Sequence, residues 1–425
     1  MKRLYTFLIF LFLPLFLSAQ KVISIKVDGS INPALADFIK STIQQASEDK
    51  AECIIIHLNT PGGLLKSTRV IVSDILESSV PIVVYVSPGG AHAGSAGVFI
   101  TMSAHIAAMA PSTNIGAAHP VSMQGGMDST MNDKTTNDAA AFIRAIAEKR
   151  KRNLQWAEEA VRKSVSITEE EAVRNKVVDL VAQNEQDLLK QINGRIVQLN
   201  SGSKTLKTAN TKVEQVEMNF SERFLNMISD PNIAYILMML GFYGILFELY
   251  SPGAIAPGVI GIICLILAFY AMHTLPVNYA GLALILVAFV LFILEVKITS
   301  YGVLGIGGVV ALTLGSIMLI RTDSALEFMR ISWGVIVPTT LVTAAFFFFL
   351  VGLAVKGQKL KSMTGIEGII GEEGEALARL EPFGTVRVHG ELWNAESVSG
   401  SIESGQKIIV KAIHNLTLYV EQLKK

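Results

Sequence analysis

The chain has 425 residues, 51% of them hydrophobic and 17% charged, which is more than one domain's worth of sequence and too apolar for an ordinary soluble protein. Lys+Arg and Asp+Glu both total 36, so charge gives no argument for nucleic acid as a partner. Two cysteines make no disulfide framework: Cys53 lies in a strand-like run and Cys264 in a membrane-like run, and both read as buried thiols. No spacing of His, Cys and acidic residues suggests a metal, and no other cofactor is expected.

Taken in order, Lys2 and Arg3 precede an apolar run from Leu4 to Leu17 and then Ser18-Ala19-Gln20. That is the pattern of a secretory signal peptide over residues 1–19. Leu17 is large for its place before the cut, which leaves an uncleaved anchor open. Either way the domain that follows is exported.

Residues 20–190 alternate strand and helix patterns. Val22 to Val27 alternates like a strand, and Pro33 to Ala46 has helical spacing with Asn32 as N-cap. Cys53 to Leu58 reads as a buried strand that runs into Asn59-Thr60-Pro61-Gly62-Gly63 and then a helix from about Leu65 to Leu76. Ile82 to Val86 is another buried strand, and Pro88-Gly89-Gly90-Ala91-His92-Ala93-Gly94-Ser95-Ala96-Gly97 separates it from a helical run, Val98 to Ala104. Strand, Gly-rich turn and helix in repetition imply an α/β domain with mostly parallel strands, whose ligand site lies beyond the carboxyl ends of the strands. Both Gly-rich turns fall on that edge, where they can face each other across a cleft.

A serine among small residues at the mouth of a strand and the start of a helix has an exposed hydroxyl, with first-turn amides pointing at charge that develops beside it. Acyl transfer uses such an arrangement, with Ser95 as nucleophile and backbone N–H groups as oxyanion hole. The alternative is a Gly-rich turn needed only for its backbone conformations.

Ser122 to Asn137 is polar, methionine-rich and aperiodic, reads as a flap, and contains Lys134. A helix is predicted over Thr136 to Arg152, its basic end Lys149-Arg150-Lys151-Arg152 read as solvated. Thr168-Glu169-Glu170-Glu171 opens a further helix with a capping box. Residues 191–230 read as a linker, with some residual strand character over 190–222.

Residues 231–356 form a membrane domain with five apolar runs: Ile233–Leu249, Gly258–His273, Tyr279–Leu294, Gly302–Ile320 and Trp333–Val355. The first two are short for spans and could be a re-entrant pair; the last is ample. Five spans with residue 231 outside put Lys297, Lys356, Lys359 and Lys361 on the cytoplasmic side, as the positive-inside tendency asks. Glu248 and Glu295, near span ends, read as snorkelling to the interface. Residues 360–425 show short alternating runs between glycines, the signature of a small OB-like β-barrel. It lacks stacked aromatics or a basic stripe, so it reads as a protein-interaction module.

Nearly the whole mature chain resembles the long form of the NfeD family, membrane-bound serine proteases often paired with stomatin-like proteins. Thr60-Pro61-Gly62-Gly63 and Gly94-Ser95-Ala96-Gly97 look like the oxyanion and nucleophile turns of the Clp-protease/crotonase fold. Phe242-Tyr243-Gly244 to Pro252-Gly253, Pro276 to Gly281 and Gly302-Val303-Leu304-Gly305 look like the family's membrane signature. Gly384 to Trp393-Asn394-Ala395 looks like its barrel. The resemblance implies a multi-domain protein: an α/β Clp-like domain, transmembrane helices and the barrel. It places the catalytic serine on Ser95, the general-base lysine on Lys134, and the oxyanion donors on Gly63 and Ala96, with Gly62 beside them in the substrate groove. A lysine accepts a proton only as the neutral amine, the form favoured when a closing flap removes it from water; outside the resemblance, Lys134 reads as an exposed loop lysine.

His119 is the rival base, since it stands near the triad histidine of soluble Clp-type proteases. The acid those enzymes place before the Thr168 helix is absent, with Lys163-Ser164 there instead. His119 is therefore read as structural or as a wall of the groove, and His57 and His92 as bystanders. The resemblance further implies a stomatin-like partner, an apolar peptide substrate and a homo-oligomer. Two other classes stay open: a membrane scaffold for that partner with a vestigial protease site, and a non-proteolytic acyl enzyme on the same fold.

Overall fold

The computed structural model describes residues 21–121, 129–209, 211–250, 253–273, 275, 277–298, 300–320, 330–358 and 366–423. The expected signal peptide and residues 122–128 of the expected flap lie outside them. The chain forms two compact units, residues up to 299 with 303–344, and 300–302 with 345 onward.

In the first unit the N-terminal part begins with β1 (Lys21–Asp28), α1 (Pro33–Glu48), β2 (Cys53–Asn59), α2 (Leu65–Glu77), β3 (Ile82–Val86) and β4 (His92–Gly94). It continues through α3 (Ala96–Ser103), β5 (Ile106–Met109), β6 (Asn114–Gly116), α4 (Ser129–Lys149) and α5 (Leu154–Arg162). Then follow β7 (Ser166–Thr168), α6 (Glu169–Arg174), β8 (Leu180–Val181), α7 (Glu185–Ile192), β9 (Ile196–Leu199), β10 (Gly202–Thr205), β11 (Lys212–Gln215) and α8 (Phe220–Ile228). The main sheet is parallel in the order β11-β1-β2-β3-β5-β8, and β4, β6 and β7 make a second, three-stranded sheet. Strand β2 shows why the central strands read as continuous apolar runs: Ile54, Ile56 and Leu58 enter one core, Cys53 and Ile55 the other. Burial drives the Cys53 thiol up to about 12.

Local signals work as expected at several ends. Asn32 caps α1, its side chain accepting from Leu35 N at 2.9 Å, and Thr168 with Glu171 closes a capping box on α6. Three stretches depart from expectation. The helix predicted from Thr136 begins at Ser129 and so includes Lys134. Residues 191–230 hold the β9–β10 hairpin, α8, and β11, which pairs with β1 from Lys21↔Lys212 to Ser24↔Gln215.

The third departure is the basic end of α4. Arg152 is 7% exposed, and its guanidinium donates to Met102 O (3.1 Å), Ala104 O (3.3 Å) and Val177 O (3.0 Å) and pairs with Asp179 at 2.9 Å. Arg150 Nε donates to Ser103 O at 2.7 Å. These cations are not solvated: they satisfy the end carbonyls of α3, where the negative pole of the helix favours positive charge.

Beyond α8 come α9 (Pro231–Tyr250), α10 (Ala256–His273), α11 (Tyr279–Lys297), α12 (Val303–Leu319) and α13 (Trp333–Gln358). Helix α9 is by length and composition able to cross a membrane. Large apolar side chains stand exposed along the others, among them Ile260, Ile266, Val303, Leu341, Val342 and Phe349, each at least half exposed; water would penalise that surface and lipid does not. Glycines bring the helices together in pairs. A Cβ on Gly244 would lie 2.8 Å from Gly261 Cα across α9 and α10, and one on Gly281 would lie 2.6 Å from Leu319 N across α11 and α12.

Glu248 and Glu295 do not snorkel outward. Glu295 Oε2 accepts from Gly305 N at 2.8 Å, and the Glu248 side chain lies against Gly258 with its Oε2 buried. Each carboxylate turns toward the first turn of the next helix, where N–H groups are unspent.

In the second unit β12 (Glu373–Ala376), β13 (Phe383–Val388), β14 (Glu391–Ser397), β15 (Lys407–His414) and β16 (Thr417–Gln422) close a barrel in the order β12-β13-β14-β16-β15. All pairs are antiparallel except β14–β16, and the interior is filled by Val386, Val388, Ala395, Ile408, Val410, Leu418 and Val420. The expected architecture of α/β domain, helical region and small five-stranded barrel is therefore present.

Candidate active site

Small residues bring the two Gly-rich turns into contact. Thr60 N donates to His92 O at 2.8 Å and Gly94 N to Thr60 O at 2.9 Å, so the turn after β2 is laced to β4 just before Ser95. Gly97 completes the approach, because a Cβ there would stand 2.9 Å from Thr60 Cγ2 and 3.3 Å from Ala93 Cβ. Inside the first turn Gly62 has φ 132°, a value that favours glycine, and its N–H donates to Thr60 Oγ1 at 3.1 Å. Ile31 N donates to Gly62 O and Leu64 N to Ile31 O, both at 2.8 Å, which fixes the peptide units around Gly63. Among the described residues Gly63 N–H has no acceptor.

Ser95 occupies the N-cap of α3, yet its side chain makes no capping bond. Its φ of 48° and ψ of −105° lie where a residue with a Cβ is strained. The Ser95 amide donates to Gly116 O at 3.0 Å, and Val98 N to Ser95 O at 3.1 Å. Helix geometry leaves the amides of Ala96 and Gly97 without intrahelical acceptors. All eight residues of α3 are buried, so its aligned peptide dipoles act with little screening by water.

His119 is half-buried and its Nδ1 donates to Val161 O at 2.9 Å, which leaves Nε2 as an acceptor. It stands three residues beyond Gly116, the acceptor of the Ser95 amide, on a segment tied to α5 by Ala118 N donating to Ala160 O at 2.9 Å. Val161 lies in the last turn of α5, so its carbonyl carries the negative pole of the helix. That carbonyl orients the ring where the sequence offers no acid. No side-chain signal could have revealed it, because the group is backbone and its aim depends on the fold.

Lys134 lies exposed on α4 and makes no hydrogen bond or ion pair among the described residues. Eight residues on, about 12 Å along the axis, Phe142 stacks on Phe99 of α3 at 5.7 Å between ring centroids. Arg69 lies over the same Phe142 ring at 4.3 Å and pairs with Asp138 at 2.6 Å, docking α4 on α2. The structure thus brings Gly62, Gly63, Ser95, Ala96 and the His119 segment together and leaves Lys134 out of hydrogen-bond contact with Ser95. His92, read as a bystander, packs its ring against Gly94, one residue before the serine. Among the described residues no cluster of His, Cys and acids could hold a metal.

Comparison with known proteins follows the same division of the chain. Residues 21–216 match the model of the NfeD1b N-terminal domain, 232–353 that of the NfeD integral membrane domain, and 366–422 that of the NfeD-like C-terminal, partner-binding domain. The protein is therefore a membrane protein. Membrane-bound protease PH1510 of Pyrococcus horikoshii is 35% identical over 430 residues, which is 98% of this chain and 97% of that one. Membrane protein NfeD1b of Bacillus subtilis is 26% identical over 425 residues, 95% of this chain and 93% of its own. A solved structure of the 1510-N membrane protease specific for a stomatin homolog, from Pyrococcus horikoshii, is 34% identical, covers 50% of this chain and 99% of its own, and superposes with a TM-score of 0.44. With a relative this similar from end to end, and with three family domains in the same order, the chain belongs to the NfeD family in its long form.

Proposed function

We propose that the protein is a membrane-anchored serine endopeptidase that cleaves apolar peptide segments. The observation that carries this reading is the pairing of the turns: the turn that holds Gly63, with its unspent amide, is laced through Thr60 to the strand that leads into Ser95, whose hydroxyl is uncommitted and whose next amide, that of Ala96, has no intrahelical acceptor. Attack by Ser95 Oγ on a peptide carbonyl would move negative charge onto the carbonyl oxygen, and two fixed N–H groups would receive it without reorganising. Gly62 and His119 would line the groove that holds the peptide. The name of the relative, a membrane-bound protease, supports the same reading.

Ser95 must pass its proton to a base, which then gives it to the leaving amine. In our reading that base is Lys134, which has to be enclosed with the substrate before it can act as a neutral amine. The Val161 carbonyl on His119 Nδ1 favours a second reading, in which His119 Nε2 takes the proton. We assign as partner a stomatin-like membrane protein that meets the C-terminal barrel, and expect the protease domains to pair as a homo-oligomer. The exported domain faces away from the cytoplasm and the barrel toward it, with several helices crossing between.

The test uses the full chain in detergent with apolar peptides. Ser95→Ala is expected to abolish cleavage, Lys134→Ala to lower kcat at least a hundredfold, and His119→Ala to act mainly on KM. Activity that survives Lys134→Ala but not His119→Ala would replace the Ser–Lys pair by a Ser–His one. Cleavage that survives Ser95→Ala would remove the serine from the reaction.

A further inference from the structure

On the face of the main sheet opposite α3, strands β1, β2 and β3 meet the start of α7 through polar side chains. Ser24 Oγ donates to Glu185 Oε2 at 2.8 Å. His57 Nε2 lies 2.8 Å from the same oxygen, and His57 Nδ1 lies 2.8 Å from Ser87 Oγ. Tyr85 packs edge-on against the imidazole at 5.5 Å between centroids, and its own hydroxyl is fixed on Ala182 O at 2.8 Å. The ring is therefore held in one orientation.

The direction of the protons follows from the carboxylate. The hydrogen bond from His57 holds the Glu185 carboxyl below the usual range, with Ser24 adding to the effect, and Glu185 occupies the first position of α7, where the helix favours negative charge. An ionised carboxylate only accepts, so His57 Nε2 carries the hydrogen and Nδ1 offers its lone pair. The hydroxyl of Ser87 then donates to Nδ1, its other acceptor, Tyr85 O, being more distant at 3.3 Å. This is the polarity of an acid, base and nucleophile relay, with the base oriented by a third group.

The relay does not face solid core. It borders a cavity of about 430 Å³ at the carboxyl edge of the sheet, whose lining includes Lys26, His57, Tyr85, Ser87 and Glu185. Pro88 follows Ser87 and has no N–H, so the amide that ordinarily follows a nucleophile is missing. The cationic group of the lining is Lys26, near enough to Glu185 to help hold its carboxylate.

We propose that Ser87 is a second nucleophilic serine, activated by His57 and Glu185, which takes acyl groups from small esters that enter this cavity. Ser87 Oγ bonds to the ester carbonyl carbon as its proton passes to His57 Nδ1, and the Lys26 ammonium offsets the charge on the carbonyl oxygen. The C–O bond to the alcohol then breaks, and the departing alkoxide takes the proton from Nδ1. Water repeats the sequence on the acyl serine, releasing the carboxylic acid and restoring Ser87–OH.

The experiment uses full-length Ser95→Ala protein in detergent, so that the Ser95 site is silent. It is treated with a small fluorophosphonate and the modified residue is located by peptide mass spectrometry, with p-nitrophenyl acetate as the ester substrate. The expected result is an adduct on Ser87 and a burst of p-nitrophenolate near one equivalent. Adding Ser87→Ala should remove both while the protein stays folded, as its cooperative melting shows. Adding His57→Gln should slow modification at least tenfold. An unmodified Ser87 in folded Ser95→Ala protein overturns the proposal, as does equally fast modification with His57→Gln, and the relay is then only a clasp between the sheet and α7.

Discussion

Ser95 holds a backbone conformation that costs about 1–3 kcal/mol for a residue with a Cβ, and its hydroxyl does none of the capping its position invites. Replacing it by glycine removes that strain, while the extra freedom of glycine in the unfolded chain costs only about 0.5–1 kcal/mol. Ser95→Gly is therefore expected to be more stable than Ser95→Ala by about 1 kcal/mol, read as a higher melting temperature, with peptide cleavage absent in both. Equal or lower stability of the glycine variant would show that the turn relaxes around Ser95 at no cost. At this scale the sequence was legible wherever function demands small residues: Gly62, Gly63, Gly94 and Gly97 are conspicuous because few other residues fit there. The partner of His119 was not legible, since the Val161 carbonyl belongs to a residue of no chemical distinction. The His57 relay was missed for a related reason: Ser24, His57, Ser87 and Glu185 are scattered over some 160 residues, |i−j| being 161 for Ser24 and Glu185, and only the parallel register collects them on one face.

Elements were read best from periodicity and capping, and worst where a charge run implied exposure. Lys149-Arg150-Lys151-Arg152 has the composition of a solvated helix end, yet two of its cations satisfy the end of α3 because the chain turns back there. His105 belongs to the same buried corner: its amide donates to Ile82 O at 2.9 Å, its Nδ1 accepts from Ile82 N at 3.1 Å, and Arg150 lies beside its ring. Burial, with the nearby Arg150 charge, lowers His105 to about 3 from an ordinary 6.5. Between those values the unfolded chain binds a proton that the folded chain refuses, so stability falls as the pH drops from about 6.5 toward 3. At pH 5 this group alone should reduce stability by about 2 kcal/mol relative to pH 7. Hydrogen exchange of the β3 amides, followed against pH in the intact protein, checks this. In His105→Gln that acid-side slope should flatten; a slope that persists unchanged would assign the acid sensitivity to other groups.

At the scale of the whole molecule, the three-part division was plain from hydropathy alone, but the inner workings of the helical region were not. Glu248 and Glu295 look alike as span-end acids, and whether each turns out to water or in toward the next helix depends on Gly258 and Gly305 leaving room for a carboxylate. That inward turn also bears on topology, because Glu295 ties α11 to α12 by a hydrogen bond and Glu248 packs α9 against α10, giving hairpins that can cross fully or dip and return. If all five helices cross, the N-terminal domain and the barrel lie on opposite sides; if one does not, they share a side. Cysteine accessibility separates these outcomes. Cys53 is buried with its thiol pushed up to about 12, so it should remain silent toward a maleimide, and only Cys264 needs replacement. Lys190→Cys on the N-terminal domain and Lys411→Cys on the barrel, both at exposed positions, then report one side each. In intact cells a membrane-impermeant maleimide should label the first at once and the second only after lysis. Labelling of both without lysis would mean an even number of crossings and a re-entrant helix. The barrel and the candidate protease site would then reach a partner from the same side of the membrane, rather than holding it from both.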